Sequence, residues 1–142
     1  MKNCKENTLE LILKQPVTVS DLLSQVDCVY ETVNQYLVEF EKQGKVSHKK
    51  SKFSIFYNPK LEVEKIDFFE LMLNSTTRSI IVLLLKSTKL SQLEISIIID
   101  KSHPSVSRTL KLLYQRDILE MNYNAPGKTY SLKNKSQIIS WM

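Results

Sequence analysis

Apolar positions recur along the first sixty residues with a helical period and then switch to alternation. From Thr8, Leu9, Leu11, Ile12 and Leu13 predict a short helix that Pro16 stops, because the residue before a proline is pushed out of the helical region. Ser20, followed by Leu22, Leu23 and Val26, reads as an N-cap and a second short helix. Val29, Val33, Leu37 and Phe40, spaced by four, four and three, form the inward stripe of a third helix that Gly44 is placed to end. Within Lys45 to Pro59 the period changes: Val46, then a basic tip, then Phe53, Ile55 and Tyr57 alternating as in a strand, which predicts a β-hairpin.

The second half repeats this order. Residues 61–74 are acidic and then apolar, without a Gly, Ser or Pro cluster, and read as a connecting helix that would hold two halves in a fixed relation. Ile80 to Leu85 is a continuous apolar run, so the helix 77–86, capped by Ser75 or Thr76, is expected to be central and fully buried. A short helix at 90–99 and a turn at 100–102 lead to HPSVSRTLKLLYQRDIL, where Ser102 is the expected N-cap, Pro104 sits in the first turn, and Val106, Leu110 and Leu113 share one face. Residues 118–132 close as a second hairpin with Ala125, Pro126 and Gly127 at its tip. Sliding the chain on itself by 73 residues superposes Ile12 on Leu85, Leu22 on Ile95, Val33 on Val106, Leu37 on Leu110, Phe40 on Leu113 and Tyr57 on Tyr130. Helix, helix, helix and hairpin is the winged helix-turn-helix order. The predicted class is therefore mainly α with small β-hairpin wings (α+β), as two such domains in tandem: 1–60, a connecting helix 61–75, and 76–142 with a short C-terminal helix.

Composition narrows the function. The 142 residues carry a net charge of +5, and it is unevenly placed: residues 61–70 hold one Lys against four acids, whereas residues 71–142 hold ten Lys and Arg against four acids and contain all three Arg. That bias suits nucleic acid. With two Gly, the chain has no Gly-rich phosphate loop; with two His and no paired carboxylates or nucleophile signature, it is not expected to be an enzyme or to need a cofactor. Cys4 and Cys28, 24 positions apart and outside any Cys-x-x-Cys, are expected to be a reduced thiol pair in a cytoplasmic protein. The longest apolar run is far below the roughly 20 residues of a membrane span.

The stretch SHPSVSRTLKLLYQRDIL, with the closing GKTYSL, resembles the winged helix-turn-helix domains of MarR, ArsR and TrmB-like prokaryotic transcriptional regulators over about residues 76–132. The resemblance implies binding of double-stranded DNA, with the recognition helix in the major groove. Carried onto this sequence, Ser105, Ser107 and Arg108 are base-contact candidates, Ser102, Lys101 and Lys111 phosphate candidates, and His103 belongs to the same surface; Asn124 and Lys128 in the wing are placed for a flanking phosphate or the minor groove. The plainer alternative is that Arg108 and Lys111 only solvate a helix face.

The first unit departs from this pattern. Tyr30, Thr32, Asn34 and Gln35 can hydrogen-bond bases, but Glu31, Glu39 and Glu41 repel phosphate, and the basic feature is the wing with His48, Lys49, Lys50 and Lys52. Specific recognition is accordingly expected of the second unit, while the first helps grip DNA or binds a protein. ArsR-like proteins often sense metals through Cys and His clusters, but the close ligand spacings are missing here, so no metal site is expected. Tyr114, Tyr123, Tyr130 and Trp141 are expected to fill a core or an interface. The apolar C-terminal KSQIISWM needs a surface to cover it, either the connecting helix or a second subunit. A homodimer or protein partner stays open, and the alternative function is that of a tandem winged-helix protein-interaction module.

Overall fold

The computed structural model describes residues 3–50, 52–87, 89–124 and 127–142, with Asn124 described by its backbone alone. The chain is mainly helical with small antiparallel hairpins, and it divides into two compact units, Met1–Asp67 and Phe68–Met142. The division falls within a helix, Val63–Leu71 (α4 below). Among the described residues no single helix is long and apolar enough to cross a membrane.

Unit 1 runs α1 (Cys4–Lys14), β1 (Val17–Thr18), α2 (Val19–Gln25), α3 (Tyr30–Lys42), β2 (Ser47–Lys50) and β3 (Ser54–Tyr57). Helix α1 starts four residues before the expected Thr8, because the Asn3 side chain accepts from Glu6 N and supplies an N-cap. The cap of α2 is Thr18 rather than Ser20: Thr18 Oγ1 accepts from Asp21 N, and the Asp21 carboxylate accepts from Thr18 N, a reciprocal capping box. Val17 and Thr18 also pair with Phe56 and Ile55, which makes a three-stranded sheet in the order β1-β3-β2. Ile12, Leu22, Val33, Leu37 and Phe40 are buried in one core. Gly44 ends α3 at φ +72°, where Lys45 N donates to Phe40 O and Gly44 N to Glu41 O, the two bonds of a Schellman motif.

Unit 1 overturns the reading of the cysteines. The sulfurs of Cys4 and Cys28 meet as a disulfide, and the Cα atoms stand 6.4 Å apart, within the span a disulfide bridges. Sequence spacing hid this, since the pairing depends on how the start of α1 lies beside the turn between α2 and α3.

Beyond α4, unit 2 continues with α5 (Ser75–Lys86), α6 (Gln92–Ile99), α7 (His103–Gln115), β4 (Leu119–Asn124), β5 (Gly127–Leu132) and α8 (Lys135–Trp141). Helix α7 has thirteen residues, as has α3, and begins 73 positions later. Its Val106, Leu110 and Leu113 are buried with Ile80, Ile81, Leu84 and Ile95. The α5 helix is central but not buried all round: Arg78, Val82 and Lys86 are exposed, so the apolar run still has a solvent side. Ser91 and Glu94 repeat the capping box at the start of α6. Leu90 bridges Tyr130, much as Val17 meets Phe56 in unit 1. One face of the C-terminal helix packs within its own unit, with Ile138 buried and the Trp141 ring 5.4 Å from that of Phe68, while Ile139 is exposed.

Two details of the hairpins differ from expectation. Gly127 is the first residue of β5, paired with Asn124, and the expected tip residues Ala125 and Pro126 lie outside the described residues. The last pairs, Lys50 with Ser54 and Asn124 with Gly127, leave three connecting residues in the first hairpin and two in the second. Measured from the equivalent positions Lys50 and Tyr123, four residues precede the partner Lys128 in unit 2 against three before Ser54 in unit 1, so the counterpart of Tyr130 in the ladder is Phe56 instead of Tyr57.

Candidate nucleic-acid interface

The N-terminal half of α7 is presented by local chemistry. Ser102 Oγ accepts from Ser105 N at 3.4 Å, Pro104 fits the first turn, and no acidic residue occupies that turn. The positive end of the helix dipole is therefore not offset by a carboxylate within that turn, which favours an anion there. Ser107, Arg108 and Lys111 are exposed and Ser105 is half-buried; Thr109, one turn on from Ser105, donates its hydroxyl to the Ser105 carbonyl at 3.1 Å. His103 is engaged within the unit, its Nε2 2.9 Å from the side-chain nitrogen of Gln92 on α6.

The expected contact residues do not converge on one spot. Ser107 and Lys111 line a cleft of about 390 Å³ together with Lys128 and Tyr130 of β5, Met121 of β4 and Tyr114. Ser105 and Arg108 line a different cavity of about 390 Å³, which faces Glu70, Asn74 and Thr77 near the start of α5. Arg108 thus lies on one flank of α7, and Lys111 on the other with the hairpin. Lys128 is exposed, its amine 5.5 Å from the centre of the Tyr130 ring and 5.8 Å from that of Tyr123. The Tyr130 hydroxyl, through its hydrogen bond, holds the Lys128 amine above the ordinary lysine pKa, so it stays charged. The backbone of Asn124 pairs with Gly127, while its side chain lies outside the described residues.

Sequence reasoning missed part of this surface. Tyr130 and Trp141 do fill packed positions, but Tyr123 is 74% exposed and Tyr114 is also exposed. Both sit on the side of α7 and the hairpin that carries Lys128. Strand register puts Tyr123 on the same hairpin face as Met121 and Tyr130, two residues nearer the tip, so alternation alone gave no signal of its exposure, whereas helical spacing from Lys111 was the available signal for Tyr114.

In unit 1 the corresponding residues are used differently. Val29 precedes α3 without a side-chain cap, Tyr30, Asn34 and Gln35 are exposed, and Thr32 is half-buried. Glu31 stands in the first turn. The β2–β3 hairpin does not present one basic patch. The His48 ring stacks on Phe56 at 4.5 Å with Nδ1 3.7 Å from Glu41, and Lys49 reaches Asp67 at 2.8 Å. Lys50 and Lys52 are exposed, Lys52 over the Phe53 ring. On α3, Glu39 is paired with Lys5 at 2.8 Å, and that hydrogen bond holds its carboxyl below the usual glutamate range.

No protein-family model matches the sequence, and no curated protein does either. Among solved structures, the chain is similar to reduced HlyU from Vibrio cholerae, at 22% identity over 54% of this chain and 83% of that one, with a TM-score of 0.48. It is also similar to the hypothetical protein PyrSV_gp04 of Pyrobaculum spherical virus, at 14% identity over 93% and 94% of the two chains, with a TM-score of 0.43.

Proposed function

We propose that the chain is a sequence-specific double-stranded DNA-binding protein, a transcriptional regulator built of two winged-helix units in tandem, which reads DNA with α7 and grips it with the β4–β5 wing. The observation that carries this reading is the charge difference between the units. Residues 1–67 hold ten Lys and ten acids, net zero, whereas residues 68–142 hold ten Lys and Arg and five acids, net +5. Within the second unit, the exposed side of α7 sets Arg108 beside Ser105 on one flank and Lys111 beside Ser107 and Lys128 on the other. Arg108 serves as a base-edge donor, and Lys111 and Lys128 as phosphate contacts on one backbone strand.

The test is binding of the full chain to duplex DNA between about 50 and 200 mM salt. Lys111→Ala is expected to reduce the salt slope by about one, and Arg108→Ala to cost about 1–3 kcal/mol on the preferred sequence and less elsewhere. Absence of binding at the lowest salt overturns the reading.

A second reading has its own support in unit 1. Its net-zero charge and the Glu31, Glu39 and Glu41 side chains of α3 suit a protein surface better than phosphate. On that reading unit 1 is a protein-interaction module, and substitutions at Lys50 and Lys52 leave DNA affinity unchanged.

A further inference from the structure

Helix α6 exposes apolar residues that its fold does not require. Ile95 is fully buried and anchors the helix, yet Leu93, Ile97 and Ile98 are 62%, 70% and 56% exposed. At the 73-residue spacing the first unit has Ser20, Ser24 and Gln25 at these positions, on α2. The same local architecture is thus built in one chain with polar residues there. A contiguous exposed apolar patch that the core does not need marks an interaction surface.

The patch runs into a groove of about 440 Å³ between α5 and α6, lined by Val82, Leu83, Ile98 and Ile99, with Arg78 and Lys86 at its sides. Arg78 and Lys86 are eight residues apart on α5, roughly 12 Å along the helix axis. No carboxylate lines the groove. The acids nearest in sequence are Asp100, the exposed C-cap that follows Ile99, and Glu94, which is turned to its own helix start, accepting from Ser91 N at 3.0 Å.

We propose that this groove docks an acidic amphipathic helix of a different protein, its apolar stripe on Val82 and Ile98 and two carboxylates, about two turns apart, on Arg78 and Lys86. Charge complementarity selects this occupant. A second copy placing the same face against itself would bring Arg78 and Lys86 opposite like charges. The chain's own acidic segment, residues 61–70, is also unsuited to the role, since its Ile66 and Phe68 are buried. The surface is separate from the DNA-reading residues of α7, so the proposal stands independently of that function.

The experiment is fluorescence anisotropy of the full chain with a stapled helical peptide of about four turns, carrying a Leu stripe flanked by two Glu two turns apart. An otherwise identical peptide with Lys in place of Glu is the comparison. The Glu peptide is expected to bind roughly tenfold more tightly than the Lys peptide, and Arg78→Glu with Lys86→Glu to reverse the order. Ile98→Ser is expected to abolish binding of both without lowering the melting temperature, since the residue lies outside the core. Failure of both peptides to bind overturns the proposal, as does equal binding of the two. Self-association in sedimentation that Ile98→Ser dissolves overturns it as well, by assigning the face to a second copy.

Discussion

Helices α3 and α7 are the same object on one side and different objects on the other. Each is thirteen residues long, and each buries three residues at matching positions: Val33, Leu37 and Phe40 in one, Val106, Leu110 and Leu113 in the other. Toward solvent, α3 carries Glu31, Glu39 and Glu41, and α7 carries Ser107, Arg108 and Lys111. The ends differ too, Val29 giving α3 no side-chain cap while Ser102 caps α7. The packed face of a helix is constrained by neighbours in its core, whereas the outer face is constrained only by what it meets in solution. Two units that share a packing plan can therefore diverge in function without cost to the fold. The net charges of zero and +5 follow the outer faces and not the cores.

The sharpest way to break this comparison is in the cores. Leu37 and Leu110 occupy equivalent positions and are both nearly fully buried. Leu37→Ala and Leu110→Ala are expected to destabilise their own units by similar amounts, about 2–5 kcal/mol each, read by hydrogen exchange resolved to each unit. A cost confined to one of them would show that the two cores are not built alike.

The disulfide offers the next largest effect, and it belongs to one unit only. Closing a loop across 24 positions stabilises unit 1 by about 3 kcal/mol on the chain-entropy estimate. A unit of 67 residues has a small core and is sensitive to such a loss. Reduction with a phosphine is expected to raise hydrogen exchange throughout α1 and α3 and to leave α5 and α7 unchanged. Equal loosening of both units would contradict the assignment.

These cases also show which features the sequence exposed. The inward stripes of α3 and α7 were legible because a helical period concentrates Val33, Leu37 and Phe40, and again Val106, Leu110 and Leu113, on one face. The burial of α5 was overestimated, because six consecutive apolar residues mask the polar side set by Arg78 and Lys86. Cys4 and Cys28 were misread because their meeting is a tertiary event that spacing does not encode. At the candidate site, the resemblance to winged-helix regulators singled out Arg108, Lys111 and Lys128, but not that Arg108 faces away from the cleft of the other two. Likewise the residue names His48 and Lys49 signalled a basic wing, whereas the contact of His48 with Phe56 depends on hairpin register and that of Lys49 with Asp67 on the placement of α4.

A smaller effect separates the helix ends. Both α3 and α7 finish in a Schellman turn; where unit 1 has Gly44 at φ +72°, unit 2 has Asp117 at φ +64°, with Ile118 N bonded to Leu113 O and Asp117 N to Tyr114 O. Left-handed backbone costs a side-chain-bearing residue about 1 kcal/mol more than glycine. Gly44→Ala is therefore expected to destabilise unit 1 by about that amount, since no atom near the added Cβ would compensate. Asp117→Gly should stabilise unit 2 by less, because it also removes the exposed pair with Lys133 at 2.5 Å, a solvent-screened contact that contributes little. Urea titration of the single variants checks both signs, and an Asp117→Gly protein less stable than its parent would mean that the ion pair outweighs the backbone.

The smallest difference lies in the paired capping boxes, Thr18 with Asp21 and Ser91 with Glu94. The Glu94 carboxylate accepts from Ser91 N, and that backbone hydrogen bond is the main reason its pKa lies below the ordinary glutamate value. A carboxyl more acidic folded than unfolded stabilises the fold above its unfolded pKa, about 4.3, and loses that contribution as pH falls through its folded value. Glu94→Gln keeps an acceptor at the helix start but removes the titration. The stability advantage of the parent over Glu94→Gln is thus expected to be constant at neutral pH and to shrink on acidification below about pH 4.3. The carboxylate is exposed, so salt should reduce the advantage as well. Melting temperatures of the two proteins across that range decide it: parallel curves would mean that the box holds the helix end through geometry alone, with no contribution from charge.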